Sequence, residues 1–334
     1  MTVTTTVAKL TRRLAHGAVA GALCLLVSVA PLRAQTVDQD GPTLPGFEIQ
    51  RTDRDYPRSI LLPGVHAHGP ELPAVSPTVF LGRSALMLET LHDGVSLADH
   101  AAAWPVRQPL DTLYAPESAA KLRRFVTCLQ LGVDADRLRP AFHFVVILAA
   151  LTPPAAISCA SILGPSAETV ATSSSSPTGG DLRLVQIAQQ HRLAIVGAET
   201  RSEQLAAIAA APDTAFARVT TLLLDDPSMP QGMSAEAISR ERSELILRGD
   251  FDELRRRALD PLPFSDADRV ALTTYMVDFR NELIARRIAE LASQRSSVIA
   301  IGAAHAGGEL GVVERLRRMG MRVTPVRVPA MYLP

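Results

Sequence analysis
Two histidines, His66 and His305, stand in glycine-containing loops that each follow a short apolar run, and two glutamates, Glu89 and Glu199, close two further runs of the same kind. Residues of these types suit several chemistries. Two neutral imidazoles with one or two carboxylates can hold a divalent metal and leave a position for water. Such a metal lowers the pKa of its water and polarises a scissile carbonyl. The same groups can act without metal, a histidine taking the proton and a glutamate orienting it. A glycosidase-type pair, Glu89 with Glu199, is a third arrangement. Spacing alone does not choose among them, because no His-Glu-x-x-His helix is present.

Each residue also has a structural alternative. His305 is flanked by Gly302, Gly307 and Gly308, which allow backbone and ligand to approach closely. His66 shares its loop with His68, and either can be the one that matters. Glu89 and Glu199 can serve as helix N-caps instead. Arg280, beside Phe279 and three residues before Leu283, sits at the boundary of an apolar helix face. His92, His100, His143 and His191 lack a comparable setting and read as structural or exposed.

The elements that must position these side chains follow from apolar periodicity. Short buried strands are expected at 59–62, 85–89, 193–197, 297–301 and 322–328, and short helices near 76–83 and over 309–319. Helices are expected over 116–131, 139–151, 182–191, 201–211, 213–224, 234–248 and 250–258, with one long helix over 266–293. Residues 153–180, rich in Ser, Thr, Gly and Pro, read as a surface insertion, and 35–58 as a flexible leader. The pattern predicts an α/β domain over 59–330. It has a mostly parallel central sheet, two βαβ-like histidine-loop units and a helical cap over about 110–260. In such a sheet ligands sit beyond the carboxyl ends of the strands, which brings His66, Glu89, Glu199 and His305 to one edge.

The 334 residues carry 34 bases and 34 acids, so the basic excess typical of nucleic-acid binders is missing. Residues 1–34 read as a secretory signal peptide, with Lys9, Arg12 and Arg13 before an apolar run from Gly17 to Ala30 that is too short to span a bilayer comfortably. Export to the periplasm or medium is the expectation, with no stable membrane span after cleavage. Cys128 and Cys159 remain in the mature chain, where they can form one disulfide or pack as small buried hydrophobes.

The C-terminal block resembles the TraB/PrgY/GumN family. Phe279-Arg280-Asn281 is similar to its Arg-Asn helix, and Ile301-Gly302-Ala303-Ala304-His305 with Gly307-Gly308-Glu309 to its second Gly-x-x-His loop. Gly197-Ala198-Glu199-Thr200 with Glu203-Gln204 resembles its glutamate segment. His66 with Gly69-Pro70-Glu71, then Leu88-Glu89, resembles the first histidine loop and its strand. Pro63 departs from the pattern, standing where the family's first loop has glycine. The resemblance implies a fold like that of erythromycin esterase and the ChaN haem-binding proteins. It also implies TIKI-like, metal-dependent peptidase chemistry, with His66, His305 and Glu89 holding the metal or its water. Glu199 would be general base. Arg280, Gly302 and Gly307 would contact a peptide or small-molecule substrate. The alternative it leaves open is a non-catalytic binder of a peptide, small molecule or haem on the same scaffold.

Overall fold
The computed structural model describes residues 41–52, 57–64, 72–91, 93–151, 159, 162, 180–225, 235–259 and 264–332. Residues 1–34, read above as a signal peptide, His66, His68 and nearly all of 153–180 lie outside the described residues. The sheet contains β1 (Thr43–Arg51), β2 (Ser59–Pro63), β3 (Ala74–Val75), β4 (Ala85–Leu91), β5 (Ala194–Thr200), β6 (Ser297–Ile301) and β7 (Met321–Met331). Their spatial order is β3-β7-β1-β2-β6-β4-β5.

The expectation of a mostly parallel sheet is corrected: the sheet is mixed. Strands β2, β6, β4 and β5 pair in parallel, whereas β1 pairs antiparallel with both β2 and β7, and β3 antiparallel with β7. The inserted strand comes from the stretch read as a flexible leader. Pro45 and Gly46 disguise it, since both residue types argue against a strand interior. Gly46 is needed here because a Cβ at that position would stand 2.8 Å from the Leu61 carbonyl oxygen. Leu44 and Ile49 supply the buried anchors. The C-terminal β6–helix–β7 unit does form with its strands in one direction, but β2 and β1 lie between them.

The helices are α1 (Leu97–Ala103), α2 (Leu110–Leu113), α3 (Pro116–Cys128), α4 (Pro140–Leu151), α5 (Gly180–Gln190), α6 (Arg201–Ala209) and α7 (Asp213–Asp225). They continue with α8 (Ala235–Arg248), α9 (Phe251–Arg257), α10 (Asp266–Thr273), α11 (Phe279–Gln294), α12 (Ala303–Ala306) and α13 (Val312–Arg318). Among the described residues no single helix is long and apolar enough to cross a membrane.

The middle helices build an apolar core of their own, in which Leu122, Phe125, Phe142, Phe144 and Phe216 are buried together. Inside it Arg139 pairs with Asp213 at 2.7 Å and also donates to the Ala209 and Ala211 carbonyls, so the buried charge is compensated. His143 lies between the Tyr114 hydroxyl and the Ala135 carbonyl. Burial pushes its pKa down to about 4, which keeps it neutral and structural.

Cys128 and Cys159 form a disulfide across 31 residues. Loop-closure entropy for that separation is worth about 3–4 kcal/mol. The Cys128→Ser, Cys159→Ser double variant should therefore melt well below the parent in calorimetry. Equal melting of the two under oxidising conditions would show that the bridge carries no such weight.

The expected long helix over 266–293 forms, with one irregular turn inside it. Between α10 and α11 the chain makes a π-helical turn, Thr274–Asp278. Such turns often occur at functional sites because they rotate the following residues relative to the helix face. Phe279 is left 53% exposed, its ring stacked edge-on against Tyr275, while Arg280 and Asn281 both point inward and are buried.

Candidate functional site
Strands β4, β5 and β6 end side by side, and their ends carry the site. Leu88 pairs with Gly197 on one side and with Ala300 on the other, and Thr90 pairs with Glu199. The parallel register therefore brings Glu89, Glu199 and the chain leaving β6 at Gly302 to a common edge. Close pairing at β5 requires Gly197, where a Cβ would come within 2.7 Å of Leu91 Cβ.

Arg280 reaches this edge from α11. Its Nε donates to both oxygens of Glu199, at 2.9 and 3.1 Å, and its Nη2 donates to Glu199 and to Glu89. Its Nη1 donates to the Met276 carbonyl inside the π turn at 2.8 Å. Burial by itself would lower the Arg280 pKa. The Glu199 hydrogen bonds and the charges of Glu89 and Glu199 outweigh it and hold the guanidinium above its ordinary value. Glu199 is sealed at 1% side-chain exposure, with Thr90 Oγ1 donating to it at 2.9 Å. Glu89 keeps 13% exposure and is the carboxylate that solvent can reach.

Glu89 ties the loop to the clamp. Its Oε2 accepts the Gly302 amide at 2.6 Å, and its Oε1 stands 3.3 Å from His305 Nε2. His305, on α12, is turned by Asn281. The Asn281 amide nitrogen donates to the Leu310 carbonyl at 2.9 Å, so its oxygen faces His305 Nδ1 at 2.6 Å. An amide oxygen only accepts, hence Nδ1 carries hydrogen and Nε2 is the atom presented to Glu89. Arg280 thus stands against both carboxylates at the point where Nε2 and Glu89 meet.

His305 Nε2 and Glu89 Oε1 are two groups that could ligate a divalent cation. An Nε2 lone pair facing a carboxylate oxygen needs a proton or a cation between them. Two ligands each about 2.0–2.1 Å from a tetrahedral metal stand about 3.3 Å apart. The Asn281 bond is the outer contact that orients a ligating imidazole. His305 and Glu89 supply two ligands. Among the described residues no group of three or more His, Cys, Asp or Glu side chains is close enough to hold a metal.

Four of the residues singled out in the sequence thus converge: Glu89, Glu199, Arg280 and His305. Gly302 joins them through its amide, which is occupied by Glu89 and so is not offered to a substrate. Gly307 does a different job, since a Cβ there would lie 2.4 Å from the Phe251 carbonyl oxygen. It lines a cleft of about 780 Å³ with Phe47, Asp252 and Arg317, and none of the four clustered side chains reaches that cleft. His66 lies outside the described residues. Gly64, two positions before it, donates its amide to the Ile301 carbonyl at 2.8 Å, so the first histidine loop sets out beside the end of β6. Asn281, Thr90 and Gln204 were missed as site residues. The adjacent Arg-Asn pair on a helix was the available signal, and both members are buried just after the π turn.

A model of the TraB/PrgY/gumN family matches residues 85–325. The chain belongs to this family. The matched stretch holds Glu89, Glu199, Arg280, Asn281 and His305, and begins after His66. No curated protein and no solved structure matches the chain.

Proposed function
We propose that this TraB/PrgY/gumN family member is an exported hydrolase of peptide-type substrates, supported by a divalent cation held by His305 and Glu89. One observation carries the reading. Asn281 fixes the His305 tautomer so that Nε2 faces the Glu89 carboxylate at 3.3 Å, beside the Arg280 guanidinium. His66 is the third ligand the reading requires. A bound cation would activate water and polarise the scissile carbonyl.

The residues divide the remaining work. Glu89, reachable by solvent, is the carboxylate that accepts the proton of the attacking water. Glu199, with both oxygens held by Arg280, is assigned a positioning role in place of the general-base role expected from the sequence. Export is supported by the apolar N-terminal segment and by a disulfide, a bond that persists in oxidising compartments.

The test uses mature protein prepared without chelator, its metal content measured by plasma mass spectrometry, and a fluorescence-quenched pool of mixed peptides. Bound metal near one per chain, with cleavage that chelator removes and added metal restores, is the expected result. Glu89→Gln should lower that cleavage by about 10³-fold at unchanged fold. A metal-free protein that cleaves nothing yet retains ligand overturns the hydrolase reading in favour of the binding one.

A further inference from the structure
We propose that Arg201 is the anion-binding subsite of this centre and takes a singly charged carboxylate on the substrate. The location rests on the hydrolase reading above; the binding does not require turnover. Arg201 opens α6 immediately after Glu199 and Thr200, at the strand-end edge where ligands of such sheets sit. Its Nη1 donates to Gln204 Oε1, and Gln204 Nε2 lies 3.1 Å from Thr90 Oγ1 and 3.5 Å from Glu199 Oε1. The guanidinium is therefore linked to the two-carboxylate clamp through a single side chain.

Its situation differs from that of the other site arginine. Arg280 is committed to Glu199, Glu89 and the Met276 carbonyl, which uses most of its five N–H groups. Arg201 has no carboxylate within ion-pair distance among the described residues, although Arg139, Arg280 and Arg287 each have one. It is half-buried. Burial first and the positive charge of Arg280 second make its own charge costly there; Glu199 and Asp93 offset only part of that cost, and an arriving anion would relieve the rest. The Nε–Nη2 edge of the fork is the geometry that receives a carboxylate in two parallel bonds.

Neighbouring groups narrow the ligand. The first amides of α6 are taken, Ser202 by Asp93 at 3.0 Å and Glu203 by the Thr200 hydroxyl at 3.2 Å, so recognition falls to the side chain. His100, 4% exposed and within electrostatic reach of Arg201 and Asp93, keeps its Nε2 buried and without a hydrogen-bond partner in the same region. Glu89, Glu199 and Asp93 crowd the same region with negative charge. A phosphate dianion would be repelled where a monoanionic carboxylate is tolerated.

The proposal is tested by equilibrium dialysis of the mature chain against two pools of N-acetylated dipeptides, one ending in carboxylate and one in carboxamide, with inorganic phosphate as competitor. Retained peptides and any cleavage products are counted together by mass spectrometry. The acid pool should be retained at least tenfold better than the amide pool, with millimolar phosphate failing to displace it. Arg201→Gln should remove that preference, and Arg201→Lys should recover part of it, with circular dichroism showing both folded. Equal retention of the two pools, retention of neither, displacement by phosphate, or a preference that survives in Arg201→Gln would each overturn it. Acid-selective retention without cleavage would leave the subsite standing and sink the hydrolase reading instead.

Discussion
Arg280→Ala is expected to lose about 3–5 kcal/mol of stability, because it strands two carboxylates of which one is sealed from water. In a domain of this size that corresponds to a melting temperature lower by about 10 °C. Arg280→Lys keeps the charge but not the planar fork that spans Glu199 and reaches Glu89, so it should recover only a minor part. The partner substitution separates charge from shape. Glu199→Gln alone should destabilise, whereas in the Arg280→Ala background it should restore stability, since the uncompensated carboxylate is then gone. Calorimetry of the four proteins measures that coupling directly. Additive effects across the cycle would show that the guanidinium and Glu199 do not act as one unit.

His305→Ala should leave the melting temperature within a few degrees of the parent and lower cleavage of the mixed peptide pool by about 10³-fold or more. The imidazole is buried and its loss leaves the Asn281 oxygen without its partner, a cost of about 1–3 kcal/mol that a domain of this size absorbs within a few degrees. Asn281→Ala tests how the imidazole is held. Outer contacts to a ligating histidine are worth about 10–100-fold in affinity or activity, and Asn281→Ala should fall in that range, with metal affinity falling in step. Asn281→Asp still accepts the Nδ1 hydrogen but loses the donor to the Leu310 carbonyl and buries a charge, so it should keep more activity than alanine while costing stability. If Asn281→Ala matched His305→Ala in severity, the asparagine would be doing more than turning the ring. If His305→Ala retained full cleavage, the site would lie elsewhere in the molecule.

The extent to which these residues could be read in advance differs by element. Strands β2, β4 and β6 are apolar runs between turn signals, and their positions follow from that pattern. Strand β1 was hidden because proline and glycine interrupt it, and its stability comes from pairing on both sides with strands far away in sequence. The long C-terminal helix was legible as a helix, but its π turn at Thr274–Asp278 was not, since such a turn has no composition signature. The disulfide was an even choice from two cysteines; the packing of the cap settles it.

The sequence by itself determined the cast: a histidine in a glycine-rich turn, two glutamates at strand ends, and an Arg-Asn pair on a helix. Residue type and local periodicity are properties of neighbouring positions, so the chain spells them out. Which oxygen faces which nitrogen is decided between residues far apart in the chain, 213 positions for Gly302 and Glu89. Only the parallel register of β4, β5 and β6 and the rotation at the π turn set those distances. They convert Glu199 from a candidate base into the anchor of Arg280, and they leave Glu89 as the carboxylate that water can reach.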